Sequence, residues 1–344
     1  MESQVIFTDN TAKELPKLCK GYSKIIIISG DDTAHHWLSS IQKEVKQDSA
    51  SIVFDSGEAS KTLSTIENLC RQLRGLGADR RSLVVSLGGG VTNDIVGFVA
   101  ATYMRGVDWI TIPTTVVAQA DASIGGKTGV NLSGYKNMIG NFHMPKAVLI
   151  NHKYLKTLPK EYLVEGLGEI IKMGFIYDKR ILDYLDKLKP GKIEGTALQK
   201  AIELAAQAKI KIVEKDRFEG GQRKLVNFGH TIGHAVETTS LWSDRPLKHG
   251  EAISVGIIAE AYLSELERVC PAGLSVQVKA YCQKFGLPQS VDQKPEQILE
   301  KITADKKNIG NIIYWVLPTE VGKGIFDHKA DPKNIKSAIE QIVK

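Results

Sequence analysis

The chain has 344 residues, which is long enough to bury a large core and to form two domains. Hydrophobic residues make up 42% and charged residues 24%, as is typical of a soluble globular protein. The net charge of +6 is spread without a long basic block, so nucleic-acid binding is weakly supported. A basic pocket for an anionic small molecule explains the excess equally well. No apolar run approaches about 18 residues, so no membrane span is expected.

The four cysteines are scattered and form no Cys-x-x-Cys motif, which is typical of reduced thiols in a cytosolic protein. The first residues lack the charged and apolar regions of a signal peptide. Together these features lead us to expect a cytoplasmic location.

The first half of the chain alternates predicted strands and helices. Apolar, β-branched runs predict buried strands at 24–30, 51–55, 82–87, 109–113 and 147–150. Helical stretches between them predict a parallel, Rossmann-like sheet, in which ligands bind beyond the carboxyl ends of the strands. After Asn151 the pattern becomes helical, with long helices at 197–214 and 250–266. We therefore predict an α/β domain at 1–151, a mainly α-helical domain at 152–344, and an active site in the cleft between them.

The third predicted strand runs into Gly88-Gly89-Gly90 and a helix. A helix that begins after such a turn exposes backbone N–H groups to a phosphate. However, Asn93 stands where the dinucleotide fingerprint has Gly or Ala. Taken alone, the motif is therefore equally compatible with an ordinary tight turn.

A dense polar stretch at 119–137 contains Gly125-Gly126-Lys127-Thr128. A P-loop would need its first glycine at the position of Asp121, so a P-loop NTPase is rejected. We interpret the stretch as a glycine-supported loop that presents lysines to a phosphate or carboxylate. Interleaved apolar residues make a merely flexible surface loop the less favoured alternative.

Histidines and one acidic residue suggest a metal site. His230 and His234 are four residues apart and share one helix face, and His249 follows nearby. Three imidazoles indicate a divalent ion of the zinc type, although an ordinary polar helix face remains an alternative. Glu169 and Lys172 share another helix face among apolar residues. They form either a buried pair, whose carboxylate needs a partner or a metal, or a surface ion pair.

These motifs, taken in order, resemble the sugar-phosphate cyclases and among them the 3-dehydroquinate synthase family. The resemblance extends from about Gly57 to Leu317. It is carried by Gly57-Glu58-x-x-Lys61, Gly88-Gly89-Gly90-x-x-x-Asp94, Arg105-Gly106, Pro113-Thr114-Thr115, Gln119-x-Asp121, Gly125-Gly126-Lys127-Thr128, Gly134-x-Lys136-Asn137-x-Ile139-Gly140, Glu169-x-x-Lys172, Arg217-x-Glu219-x-Gly221-x-Arg223, Asn227-x-Gly229-His230-x-x-Gly233-His234, His249-Gly250-Glu251 and Asp305-Lys306-Lys307-Asn308.

The resemblance implies an NAD-dependent reaction without net redox change in the shikimate pathway. It implies conversion of 3-deoxy-D-arabino-heptulosonate 7-phosphate to 3-dehydroquinate and phosphate. A ring hydroxyl would be oxidised transiently, phosphate eliminated, the carbonyl reduced again, and the ring opened and reclosed by an aldol step. The substrate's own phosphate would serve as the base for elimination. The family further implies a homodimer.

The resemblance also implies roles for individual residues. Glu169, His230 and His249 would bind Zn²⁺ or Co²⁺, whereas spacing alone would assign both His230 and His234 to the metal. The catalytic group would be Asp121, Lys127, Lys172, Lys209, Arg223, Asn227 and His234. Further substrate contacts would come from Asn137, Glu219, either Lys306 or Lys307, and Arg105 across a dimer interface. The NAD site would be lined by Gly57, Glu58, Lys61, Gly90, Val91, Asp94, Thr114, Thr115, Lys127, Lys136, Tyr154 and Thr157. The acidic residue that meets the adenosine ribose stays open.

Other functions remain as alternatives. The nearest is another cyclase, a 2-deoxy-scyllo-inosose synthase or an amino-dehydroquinate synthase; Gly125-Gly126 argues against the first. A polyol-phosphate dehydrogenase of related fold would accumulate NADH. A catalytically inactive binding protein is disfavoured by the retained candidate ligands and lysines.

Overall fold

The structure is a computed structural model that describes residues 3–133, 135–241, 243–303 and 313–344. The chain divides into two compact units, Met1–Pro159 and Lys160–Lys344. The first unit extends beyond the boundary expected near Asn151. It does so because His152–Thr157 forms a 3-10 helix whose Tyr154 packs into the core of that unit.

The first unit contains eight strands and four α-helices within the described residues. The strands are β1 (Gln4–Phe7), β2 (Ile25–Gly30), β3 (Ser49–Phe54), β4 (Leu83–Gly88), β5 (Asp108–Pro113), β6 (Lys127–Leu132), β7 (Tyr135–Phe142) and β8 (Ala147–Ile150). The helices are α1 (Thr11–Cys19), α2 (Asp31–Val45), α3 (Leu63–Gly75) and α4 (Gly90–Thr102).

Six strands form a sheet in the order β1-β8-β5-β4-β2-β3, and all of its pairings are parallel. The predicted parallel sheet is therefore confirmed. Alternate residues of β2 enter opposite cores: Ile26 and Ile28 pack on one face, Ile25 and Ile27 on the other. Because both faces are covered, the strand reads as a continuous apolar run.

The structure corrects the interpretation of residues 119–137 as a loop. Ala118–Ala122 forms a π-helical turn, and β6 and β7 pair as an antiparallel hairpin. A Cβ atom on Gly129 would lie 2.6 Å from the carbonyl oxygen of Ile139, so the two strands approach where glycine is required. These strands were not predicted, because glycine and polar residues interrupt the apolar pattern by which a strand is recognised. Strand β1 was also not predicted, because four residues give too short a pattern.

The second unit is mainly helical, as predicted. Its helices are α5 (Lys160–Ile176), α6 (Arg180–Asp186), α7 (Thr196–Lys215), α8 (His230–Ser240), α9 (His249–Leu266), α10 (Leu274–Phe285), α11 (Pro295–Thr303) and α12 (Pro332–Glu340). Its strands, β9 (Trp315–Glu320) and β10 (Lys323–His328), pair antiparallel. Helix α9 is buried along most of its length and packs against α5, α8, α10 and α12. None of the helices in the described ranges has the length and apolarity needed to cross a membrane.

Candidate active site

The second unit brings three candidate metal ligands together from three helices. Glu169 lies within α5, whereas His230 and His249 are the first residues of α8 and α9. Glu169 Oε1 lies 3.5 Å from His230 Nε2 and 3.2 Å from His249 Nε2. One possible ligand atom from each of the three residues lies within 4.8 Å of the other two. One carboxylate and two imidazoles form a donor set that suits a zinc-type ion and leaves positions for other oxygen ligands.

The electrostatics around His249 also suit a cation. Burial lowers the pKa of His249, but the carboxylates of Glu237 and Glu169 outweigh burial and raise its pKa to about 10. The ring therefore lies where positive charge is stabilised. A divalent ion would supply such a charge at the same place.

Glycines allow the ligand-bearing helices to approach one another. A Cβ atom on Gly250 would lie 1.9 Å from the carbonyl oxygen of Glu165, and one on Gly168 would lie 2.3 Å from that of Gly250. These contacts bring α5 against the start of α9. A Cβ atom on Gly256 would lie 2.0 Å from the carbonyl oxygen of Gly229, at the start of α8. Backbone contact at these points places the neighbouring ligands within a few ångströms.

A buried glutamate that the sequence analysis did not single out supports the start of α8. The carboxylate of Glu260, on α9, accepts hydrogen bonds from the backbone N–H groups of Gly229 and Ile232, at 2.6 and 3.1 Å. These groups lack partners within the helix, and a negative charge there also complements the helix dipole. Glu260 thereby fixes the turn that places His230. Its signal in the sequence is a carboxylate within the apolar stretch 257–261 of α9.

Glu169 and Lys172 are both 1% exposed at their side chains and form a direct ion pair. The alternative of a surface ion pair is therefore wrong. Lys209 on α7 and Arg223 on the segment Gln222–Asn227 are also buried. Their elements pack against α5 and against each other. Burying cations is costly unless anions are near, so this part of the unit is suited to a carboxylate or phosphate.

The loop that carries Glu219 and Arg223 is organised by Asp216. Its carboxylate accepts backbone N–H groups of Gly220, Gly221 and Arg223 at 2.7–3.0 Å. Partial desolvation raises the pKa of Asp216, but these hydrogen bonds outweigh it and lower the pKa. Glu219 has a left-handed φ of 63° and accepts a hydrogen bond from the side chain of Asn227. The loop thus holds three predicted substrate residues in one arrangement.

His234 lies one turn beyond His230 on α8. Its ring centroid is 5.1 Å from that of His230 and 5.8 Å from that of His249. A second possible ligand group consists of His234, Glu237 and His249. Among the described residues, neither candidate group combines His230 with His234. The separate roles of these two histidines, and the other site roles inferred from the sequence, stay predictions.

In the first unit, the glycine turn lies at the end of a central strand. Gly88 of β4 pairs with Pro113 of β5, and the N–H of Thr114 donates to the carbonyl of Gly88. A Cβ atom on Gly89 would lie 2.9 Å from the side chain of Thr115. Helix α4 begins next, at Gly90. The chain order reverses between β2 and β4, and such switch points are where parallel sheets bind ligands.

Side chains of the loop at 57–61 contact both α4, which follows this turn, and the β6–β7 hairpin. Lys61 is buried and donates to Asp94 and to Asn137, both at 2.5 Å. Desolvation raises the pKa of Asp94, and Lys61 opposes that rise. Glu58 accepts a hydrogen bond of 2.8 Å from Asn131. The structure thus brings together residues that the sequence assigned partly to NAD and partly to the substrate.

The remaining first-unit residues occupy varied positions. Tyr154 is buried and donates to Thr11, whereas Thr157 accepts a hydrogen bond from Trp37. Among the other predicted residues, Asp121 lies on the π-helical turn, Lys127 on β6 and Lys136 on β7. Arg105 ends a 3-10 turn, and its side chain is exposed. Arg105 and Asn137 have left-handed φ values of 72° and 55°. Lys306 and Lys307 lie outside the described residues.

Acidic residues also follow β2, where the ribose-binding residue was left open. Asp31 and Asp32 begin α2, and both form hydrogen bonds with Ser56. They lie at the carboxyl end of β2, beside the switch point of the sheet.

Comparison with known proteins identifies relatives over nearly the whole chain. Family profiles described as 3-dehydroquinate synthase N-terminal and C-terminal match residues 51–165 and 166–308. A 3-dehydroquinate synthase of Streptococcus thermophilus (strain CNRZ 1066) is 43% identical, covering 79% of this chain and 77% of the relative. One from Pyrococcus furiosus is 38% identical, covering 98% of each.

Solved structures show the same architecture. A 2-deoxy-scyllo-inosose synthase complexed with carbaglucose-6-phosphate, NAD⁺ and Co²⁺ is 26% identical over 98% of this chain and 96% of that chain, with a TM-score of 0.88. The 2-epi-5-epi-valiolone synthase ValA of Streptomyces hygroscopicus, with NAD⁺ and Zn²⁺ bound, is 24% identical over 99% and 97%, also with a TM-score of 0.88. This second likeness supports the fold.

Proposed function

We propose that this chain, which belongs to the 3-dehydroquinate synthase family, converts 3-deoxy-D-arabino-heptulosonate 7-phosphate to 3-dehydroquinate and phosphate. The observation that carries the proposal is the cluster of Glu169, His230 and His249 in the same unit as the buried cations Lys172 and Arg223. A metal-ligand set and buried positive charge together suit a hydroxylated substrate with acidic groups.

We extend NAD and one divalent ion, Zn²⁺ or Co²⁺, from the solved cyclases to this chain. The donor set and the charge around His249 fit the ion, and the glycine turn before α4 fits a dinucleotide phosphate. When bound, the two groups supply a reversible hydride acceptor and a Lewis acid for oxygen atoms. Glu169, His230 and His249 would hold the ion, and the backbone N–H groups of Gly90 and Val91 would face the phosphates.

The buried cations would bind and orient the substrate. The guanidinium of Arg223 suits two-point contact with a carboxylate or phosphate, whereas Lys172 and Lys209 act as compact charges. Asn227 and Glu219, held in one loop arrangement, would contact hydroxyl groups. His234, one turn from His230, would approach the phosphate that leaves. Rigid placement of these groups lowers the entropy cost of bringing the reacting atoms into line.

Two further parts of the proposal concern assembly and location. The protein is a cytoplasmic homodimer. Arg105 of the partner subunit reaches the substrate phosphate, which would explain its exposed side chain and left-handed backbone.

The proposal is tested by measuring phosphate and NADH together. Purified protein with NAD and Zn²⁺ or Co²⁺ should release phosphate from the heptulosonate phosphate without accumulation of NADH. A chelator should stop release, and added metal should restore it. The variant His249→Ala provides the background rate. Steady NADH accumulation would instead support a dehydrogenase, and phosphate release from glucose 6-phosphate alone would support an inosose synthase.

A further inference from the structure

The two candidate histidine ligands are each held at Nδ1 by an acceptor. His230 Nδ1 lies 3.2 Å from the carbonyl oxygen of Phe228, and His249 Nδ1 lies 3.2 Å from Glu237 Oε2. Carbonyl and carboxylate oxygens only accept hydrogen bonds, so each Nδ1 carries the hydrogen. In the neutral ring that binds a metal, the other nitrogen, Nε2, is then the one with a lone pair. In both rings Nε2 faces Glu169.

The acceptor for His249 comes from the neighbouring helix. Glu237 is 5% exposed and lies on α8, seven residues after His230 and therefore on the same helix face. Helix α8 packs against α9, which His249 begins. One helix thus supplies a candidate ligand and also the carboxylate beside the ligand of the next helix.

We propose that Glu237 is a positioning residue, whose carboxylate holds the Nδ1 hydrogen of His249 and directs Nε2 toward the metal. This inference rests on the metal ion of the proposed function. A carboxylate partner fixes the ring orientation and makes imidazole a more basic ligand than a carbonyl partner does. His249 would therefore be the stronger of the two histidine ligands, although its ring is the more exposed one.

The alternative is that Glu237 itself binds the ion, together with His234 and His249. In the first arrangement the ion binds Nε2 of His249, which faces Glu169, and in the second it binds Nδ1, which faces Glu237. If Glu237 orients the ring, its loss weakens a site made of other residues. If Glu237 is a ligand, its loss removes the site, and Glu169 becomes dispensable for metal binding.

The test compares Glu237→Gln and Glu237→Ala with Glu265→Gln as a matched control. Glu265 lies on the same helix as His249, far from its start, and accepts the backbone N–H of Ser275 at 2.6 Å. Zn²⁺ affinity is measured by competition with a chromogenic chelator, and folding of the metal-free protein by circular dichroism and urea. The visible spectrum of the Co²⁺ form reports the ligand set.

We expect the alanine variant to bind Zn²⁺ about 10–100-fold more weakly and the glutamine variant to be intermediate, because amide oxygen still accepts the hydrogen bond. The Co²⁺ spectrum should keep its ligand-field bands, and the control should match the wild type. Wild-type affinity in Glu237→Ala, with lower stability of the metal-free protein, would overturn the inference. So would loss of binding and a changed spectrum in Glu237→Gln while Glu169→Gln retains metal.

The wild-type protein separates failure of this inference from failure of the proposed function. If it binds no Zn²⁺ saturably, both the inference and the metal part of the proposed function fail. If it binds Zn²⁺ and releases phosphate from the heptulosonate phosphate while both Glu237 variants bind metal normally, the inference alone fails.

Discussion

The contact between Gly250 and α5 leads to a prediction about metal binding. A Cβ atom at residue 250 would lie 1.9 Å from the carbonyl oxygen of Glu165. The backbone fixes the position of Cβ, and its partner is a backbone carbonyl, so no side-chain rotation relieves the overlap. Carbon and oxygen atoms need more than 3 Å, so Gly250→Ala must move the start of α9 from α5 by about 1 Å. That movement separates His249 from Glu169.

The movement should lower both the stability of the fold and the affinity for the metal. Overpacking of this kind costs about 1–3 kcal/mol of unfolding free energy. A domain of this size loses roughly 2–4 °C in melting temperature per kcal/mol, so a fall of about 2–12 °C is expected. Metal sites tolerate deviations of only about 0.2 Å in ligand distance, so the same movement removes a ligand. We expect Zn²⁺ affinity to fall at least tenfold in protein that is still folded.

The assay measures Zn²⁺ affinity by chelator competition at a temperature where circular dichroism shows the variant to be folded. Gly174→Ala is the matched control, because it adds a methyl group to the same helix, α5, at a point that packs against α6 and not against α9. Its Cβ atom would meet the side chain of Leu182, which can rotate, at 2.5 Å. We expect normal metal binding there. Wild-type affinity in Gly250→Ala, with a lowered melting temperature, would show that the glycine contact supports packing and not ligand placement.

Three further predictions concern charge and ligand roles. Lys172→Met should leave the buried carboxylate of Glu169 uncompensated and lower the free energy of urea unfolding by roughly 3–5 kcal/mol with a chelator present, but by less with Zn²⁺ present. Equal losses in the two conditions would show that Lys172 and the metal do not share the Glu169 carboxylate. His230→Ala should lose metal, whereas His234→Ala should retain it with lower turnover; equal metal loss by atomic absorption would contradict the split. Asp94→Asn should weaken NAD binding roughly tenfold in calorimetry, because a charged hydrogen bond beside the glycine turn is lost; unchanged affinity would place Asp94 outside the cofactor site.

The parallel sheet could be predicted because its signal is local. Each central strand is an apolar run bounded by turn residues, and burial on both faces requires such runs. The β6–β7 hairpin could not be predicted in the same way. Its two strands are held together where Gly129 and Gly140 meet, and glycine gives no strand signal by itself.

The candidate ligands could be named from the sequence, but the groups that support them could not. Glu237 has no distinguishing signal in the sequence, and Glu260 has only that of a carboxylate among apolar residues. Only the packing of α8 on α9 shows which groups they contact. Glu169 lies 61 positions before His230, and their approach depends on glycine contacts at helix starts. Spacing within one helix therefore predicts which side chains share a face, whereas contacts between helices decide which of them meet.

The histidine helix shows this distinction in a single element. Four-residue spacing places His230 and His234 on one face, and their ring centroids are indeed 5.1 Å apart. Yet the carboxylate of Glu169 faces His230, and the carboxylate of Glu237 faces His249. A cation shared by Glu169 and His249 therefore lies toward the start of α8. In the proposed mechanism, one turn of this helix separates the metal ion from the leaving phosphate, so the helix repeat sets the distance between the two reacting ends of the substrate.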